Sequence, residues 1–218
     1  MNDLEAEERA QFMLRLRARG IRDLRLLRAL ERAPRALFMP QRYGDIAARD
    51  IALPIGSGQT APPPSIVAAM IEALGPEPGS RVLEIGTGTG YATALLAQLA
   101  SEVVSLERRQ SLALEAAARL EAFGLANVRV VWGDGLALDP RSGRFDRILV
   151  HAVIATPAPR LTDLLVEGGA LVAAIADGAS SDQRIVRLTR AANGEIAASM
   201  HGLARTFTPL VEGVARAL

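Results

Sequence analysis

The chain has 218 residues and a mass of 23.1 kDa, half of its residues being hydrophobic, which is enough for one sizeable core and short for two. Its 25 basic and 24 acidic residues leave a formal charge of +1, so no global field points to nucleic acid or to an anionic membrane. Cysteine is absent, which removes disulfides, thiolate nucleophiles and cysteine-ligated zinc, and with only His151 and His201 a histidine metal cluster is not expected. All 25 basic residues are arginine. Without lysine, Schiff-base catalysis, a phosphate-loop lysine and a kinase lysine are excluded together. The stretch Met1-Asn2-Asp3-Leu4-Glu5 lacks the apolar core of a signal peptide, and no apolar run reaches the roughly 18 residues of a membrane span. The expectation is a cytoplasmic protein that binds neither membrane nor nucleic acid.

Apolar residues recur at helical spacing across residues 4–30, with a break at Gly20, and predict two amphipathic helices. The arginines between Arg15 and Arg32 are interleaved with acids and carry no aromatics for base stacking, so they read as the wet face of those helices. Residues 33–64 hold six of the twelve prolines, and an ordered, irregular segment is expected there. Such a segment inside a domain is more often functional than idle. A helix over 65–74 and a turn over 75–79 lead into alternating elements. Strands are expected at 81–85, 102–106, 128–132, 145–150 and 170–175, and helices at 91–99, 110–123 and 159–165. This alternation predicts an α/β fold with a parallel sheet covered on both faces. Runs 185–189 and 195–200, joined by Ala192-Asn193-Gly194, predict an antiparallel hairpin at the sheet edge.

The sharpest motif is Val82-Leu83-Glu84-Ile85-Gly86-Thr87-Gly88-Thr89-Gly90-Tyr91. An apolar strand runs into three alternate glycines and then a helix, so the backbone turns tightly and a ligand can approach it closely. The dinucleotide fingerprint places its third glycine one position later, where this chain has Tyr91, which argues against a nicotinamide enzyme. Glu84, at the carboxyl end of the strand, is placed to meet an ammonium group of a ligand. Glu107 closes the second strand about 20 residues after the glycine loop begins, where an acid accepts both ribose hydroxyls. Gly133-Asp134-Gly135 ends the third strand, with Asp134 placed to accept an adenine amino group and the glycines to let the ring lie flat. Together these strand ends describe a nucleoside with a cationic amino-acid tail and no phosphate, which is S-adenosylmethionine.

The segments Ala33-Pro34-Arg35-Ala36-Leu37-Phe38-Met39-Pro40, Leu53-Pro54-Ile55-Gly56-Ser57-Gly58-Gln59-Thr60, the glycine loop, Gly133-Asp134-Gly135, Glu167-Gly168-Gly169 and Phe207-Thr208-Pro209-Leu210 resemble, in that order, the protein-L-isoaspartate O-methyltransferase family. The resemblance implies a seven-stranded Rossmann-like methyltransferase fold, an α/β/α sandwich with an N-terminal helical cap. It implies one domain, with residues 1–79 forming helices and an active-site loop, 80–176 the cofactor core and 177–218 an antiparallel edge. It implies methylation of the abnormal carboxylate of isoaspartyl residues in damaged proteins, with isoaspartyl peptides or proteins as substrate. Glu84, Gly86, Thr87, Gly88, Gly90, Glu107, Asp134 and Gly135, with Gln59 and Thr60, would hold the cofactor.

Two departures from the family pattern fall on the acceptor side. The family continues Gln-Thr with Ile-Ser, and that serine is treated as its active-site residue. Here the positions are Ala61 and Pro62, so both a hydroxyl and a backbone N–H are lost. Thr60 is the candidate replacement, with Ser57 and Ser65 as alternatives. After the fourth strand the family's Thr-Ala-Ala-Pro-Pro-Glu-Ile-Pro is replaced by His151-Ala152-Val153-Ile154-Ala155-Thr156-Pro157-Ala158. His151 is either a site residue or a satisfied structural histidine. Trp132 is expected to pack at the sheet edge. Two readings stand beside the repair enzyme: a relative that methylates another carboxylate or small molecule, and a silent binding protein on the same scaffold.

Overall fold

The computed structural model describes residues 3–139, 143–156, 158–176, 182–203 and 207–215. Helices α1 (Asp3–Ala18) and α2 (Leu24–Arg32) open the chain and bury Phe12, Leu16, Leu26, Leu27 and Leu30, the apolar stripe that the spacing predicts. Asp23 caps α2 by accepting the backbone N–H groups of Arg25 and Leu26. Glu72 on α3 (Pro64–Leu74) accepts the N–H groups of Arg22 and Asp23, both at 2.6 Å. This carboxylate ties the helical cap to α3, alongside the bonds from Arg25 to the Pro76 carbonyl and from Gln98 to the Ala29 carbonyl.

The proline-rich segment contains two 3-10 turns (Arg35–Phe38 and Gln41–Ile46) and a hairpin of β1 (Leu53–Gly56) and β2 (Gln59–Ala61). Nothing in the sequence pattern predicts the hairpin. Its strands are four and three residues long and one contains Pro54, so no alternation can develop.

Seven strands form the main sheet: β3 (Arg81–Ile85), β4 (Glu102–Glu107), β5 (Val128–Trp132), β6 (Phe145–Val153), β7 (Leu165–Ala176), β8 (Gln183–Arg190) and β9 (Ile196–Leu203). Their order is β5-β4-β3-β6-β7-β8-β9, parallel through β7 and antiparallel across β7-β8 and β8-β9. Helices α4 (Tyr91–Ala97), α5 (Gln110–Ala122) and α6 (Pro159–Thr162) connect them. Neighbouring strand residues point into different apolar layers: Val82, Val103 and Leu149 into one, Leu83, Val104 and Ile148 into the other. Because both layers are dry, the strands read as continuous hydrophobic runs.

Helices α1 to α5 all share the first layer, whereas the second is covered by α6 and the loop around Leu136 and Leu138. The helical cover there is thinner than the sequence pattern leads one to expect, since the expected helix over 159–165 is a single turn and β7 already begins at Leu165. The chain adds β4 and β5 on one side of β3 and then crosses to add β6 on the other. That reversal opens a crevice at the carboxyl ends of the strands, the place where open α/β sheets take ligands.

Candidate active site

Two contiguous cavities occupy this crevice, and Gln59, Gly86, Glu107, His151 and Thr208 line both. One, of about 350 Å³, is bordered by Gly133, Asp134 and Gly135 and roofed by Pro209 and Leu210. The other lies against the β1-β2 hairpin, with Thr60, Ala61 and Pro62 facing Gly88 and Thr89. Residues 207–215 are tied down over the crevice by backbone bonds. Val153 and Leu210 donate to Thr208 and Val153, at 2.9 and 2.8 Å, and Ala215 donates to Arg108 at 2.7 Å.

The glycine loop carries a double constraint. Gly86 and Gly90 have φ of 93° and 88°, values that side-chain-bearing residues rarely adopt. Space is short as well, since a Cβ at Gly86 would stand 3.2 Å from that of His151 and one at Gly90 3.2 Å from Leu120. Gly86, Thr87 and Gly88 line the cavity. Gly90 does not line either one; it precedes α4 and presses against α5, so the cofactor contact expected of it gives way to helix packing. The Thr87 hydroxyl is turned from the cavity to Ser105 Oγ at 2.5 Å.

Glu107, 5% exposed, accepts the N–H of Gly88 on one oxygen and that of Arg109 on the other, both at 2.9 Å. Each oxygen keeps capacity for a further donor, so the carboxylate suits a ribose diol. Asp134 lines the nucleoside side, accepting Leu136 N–H on Oδ1 (2.8 Å) and Gly213 N–H on Oδ2 (2.7 Å). It therefore closes the turn after β5 and holds down the roof, with lone pairs left for an amino group. At Gly135 a Cβ would stand 2.5 Å from Ile85 Cγ2, so only glycine fits.

Glu84 corrects the sequence reading. It is 0% exposed and lines neither cavity, so it does not meet an ammonium group directly. Its carboxylate lies beneath the floor, bonded to Thr93, Ser105 and His151. Trp132 also stays outside both cavities and donates its indole N–H to the carbonyl of Arg108 at 3.1 Å.

On the acceptor side Gln59, Thr60, Ala61 and Pro62 stand together on the wall. Of the three candidate hydroxyls, Ser57 pairs with Ser111 at the surface and Ser65 donates to Asp50. Thr60 alone of these lines the cavity. Sequence reasoning gave no role to the residue that holds this wall. The guanidinium of Arg35, 3% exposed, donates to the carbonyls of Ala47 (3.1 Å), Ile51 (3.2 Å) and Pro62 (3.0 Å). Burial pushes its pKa down, opposed by Tyr91 and Asp50. Tyr91, behind the loop, has its pKa pushed up by burial against the pull of Arg35. A proline supplies Arg35 with a carbonyl as well as any residue would, which is why position 62 can lose its hydroxyl without the wall losing its anchor.

The family model for protein-L-isoaspartate(D-aspartate) O-methyltransferase matches residues 7–215. Protein-L-isoaspartate O-methyltransferase 2 of Rhodopseudomonas palustris (strain HaA2) is 46% identical over 211 residues, covering 97% of this chain and 96% of its own. The protein-L-isoaspartate O-methyltransferase of Azorhizobium caulinodans is 45% identical over 220 residues, covering 100% of both chains. A Plasmodium falciparum chain of the same description, solved with S-adenosyl-L-homocysteine, aligns with a TM-score of 0.78 at 23% identity, covering 92% of this chain and 97% of that one. At that identity the match shows a shared fold, including the sheet on which the crevice is built. With nearly the whole length matched by close relatives as well, the chain belongs to the protein-L-isoaspartate O-methyltransferase family.

Proposed function

We propose that the protein transfers a methyl group from S-adenosylmethionine to the free carboxylate of L-isoaspartyl residues in damaged proteins. The observation that carries this reading is the meeting of two hollows at Glu107, Gly86 and His151. One side is fitted to a nucleoside, and the other is walled by the segment from Gln59 to Pro62. The donor set suits the cofactor: Glu107 keeps lone pairs for a diol, and Asp134 and Gly135 border the space for a flat base.

When bound, S-adenosylmethionine supplies an electrophilic methyl group on sulfur. The acceptor carboxylate is already ionised near neutral pH, so no side chain has to take a proton from it. What remains for the protein is orientation and the exclusion of water. Glu107 and the loop from Gly86 to Gly88 fix the nucleoside, Ile55 and Phe207 present apolar walls, and Thr60 offers the hydroxyl that steers one carboxylate oxygen. Arg35 ties the Pro62 end of the wall to the carbonyls of Ala47 and Ile51. The methyl ester carries a better leaving group than the ionised acid, so the neighbouring backbone nitrogen closes a succinimide off the enzyme with loss of methanol; hydrolysis at the side-chain carbonyl gives aspartate, and hydrolysis at the other returns isoaspartate for a further cycle.

Methyl-labelled donor incubated with paired peptides, one with isoaspartate and one with ordinary aspartate, tests the proposal. Selective labelling of the first is expected. Labelling of neither, with the donor still bound, would assign the site a different acceptor or none.

A further inference from the structure

His151 stands between Glu84 and the two cavities. Glu84 Oε2 accepts the hydroxyls of Thr93 (2.5 Å) and Ser105 (2.6 Å), and its Oε1 faces His151 Nε2 at 3.1 Å. A carboxylate only accepts, so Nε2 carries a proton, and the tautomer that bears only that proton keeps a lone pair on Nδ1. That atom has no hydrogen-bond partner among the described residues. The side chain is 9% exposed, lies against Gly86 and lines both hollows where they join. Buried polar atoms are rarely left without a partner, and the side chain that carries this one borders a ligand site.

We propose that Nδ1 of His151 accepts a hydrogen bond from the α-ammonium group of bound S-adenosylmethionine, with Glu84 acting as a positioning residue through the ring. Glu84 fixes the tautomer that leaves Nδ1 free to accept, and its charge, one imidazole away, favours a cation over a neutral group. The electrostatic part that Glu84 is expected to play from the carboxyl end of the strand is thus retained, while the contact passes to His151. An imidazole acceptor backed by a carboxylate is the arrangement that orients metal-bound histidines, applied here to an ammonium ion. The proposal rests on the cofactor reading above.

The test is calorimetric and spectroscopic, with the full chain. S-Adenosylhomocysteine and its desamino analogue, in which hydrogen replaces the α-amino group, are titrated into the protein and into His151→Phe. The wild-type protein is expected to prefer the amino ligand by about tenfold or more. The variant is expected to bind the two ligands within about threefold of each other, through weaker binding of the amino ligand alone. With only two histidines in the chain, His201→Ala leaves a single imidazole to follow by ¹⁵N spectroscopy. The free protein should show the Nε2–H tautomer, and Nδ1 should shift with S-adenosylhomocysteine and not with the analogue. Equal affinities in the wild-type protein, or an unmoved Nδ1, overturn the proposal even if His151→Phe fails to fold. Absence of S-adenosylhomocysteine binding by the wild-type protein would instead overturn the cofactor reading itself, and the proposal with it.

Discussion

Arg35→Met separates the anchoring of the acceptor wall from the binding of the nucleoside. Methionine matches the length and apolar character of the arginine stem, so what is lost is chiefly the bonds to the carbonyls of Ala47, Ile51 and Pro62 at 3.0–3.2 Å, with two longer ones to Arg49 and Ala61 at 3.5 Å. A hydrogen bond from a charged donor contributes roughly 1.5–3 kcal/mol, so the gross loss is about 5–9 kcal/mol. Two terms reduce it. The penalty of taking a guanidinium charge out of water, several kcal/mol, disappears, and the half-buried carbonyls of Ile51 and Pro62 regain water. The Ala47 carbonyl bond is buried, and losing it leaves an acceptor without a partner. A net destabilisation of about 2–4 kcal/mol follows, to be read from the urea midpoint at unchanged m-value. S-Adenosylhomocysteine affinity should stay within about threefold of wild type, while KM for an isoaspartyl peptide rises about tenfold or more, because the displaced wall costs orientation. Arg35→Lys should recover only part of both losses, since one ammonium group cannot span the three carbonyls as the planar fork does. A stability loss below about 1 kcal/mol together with an unchanged peptide KM would refute this account of the wall.

Glu107→Ala should weaken S-adenosylhomocysteine binding by roughly 1–3 kcal/mol, measured calorimetrically, and unchanged affinity would remove Glu107 from the site. Thr60→Val should lower kcat/KM for the isoaspartyl peptide by about ten- to a hundredfold, the range for a hydrogen bond to a charged group, with cofactor affinity unaltered. Gly135→Ala should destabilise the fold by about 1–3 kcal/mol through overpacking against Ile85, seen as a lower thermal midpoint in the absence of any ligand. Tyr91 gives a pH prediction. Burial raises its pKa in the folded state, so above about pH 10 the unfolded chain loses the phenolic proton while the folded chain keeps it. Stability contributed by Tyr91 is therefore complete below about pH 10 and declines above it by about 1.4 kcal/mol per unit. Tyr91→Phe should flatten the alkaline limb of urea stability measured between about pH 9 and 11. With no lysine or cysteine and only one other tyrosine, Tyr43, few groups obscure that limb.

The parallel sheet is legible in the sequence because both of its faces are dry, and runs such as Ala170 to Ile175 are apolar without interruption. The ends of β3, β4 and β5 are legible for a related reason, since glycines and acids interrupt those runs abruptly. Depth is not legible. Whether Glu84 points into the crevice or beneath it depends on hydroxyls from α4 and β4 and a ring from β6, 9, 21 and 67 residues away, and no local pattern announces such a convergence. The same holds for Arg35, whose partners are backbone carbonyls that any residue carries. The β1-β2 hairpin escapes detection because it pairs only with itself and is too short to alternate.

Residues 207–215 form the roof over the nucleoside side, and they follow every strand of the sheet in chain order. A ribosome therefore finishes β3 to β9 before the segment that completes the ligand's enclosure has emerged. Loss of that segment would uncover the crevice without taking a strand out of the sheet.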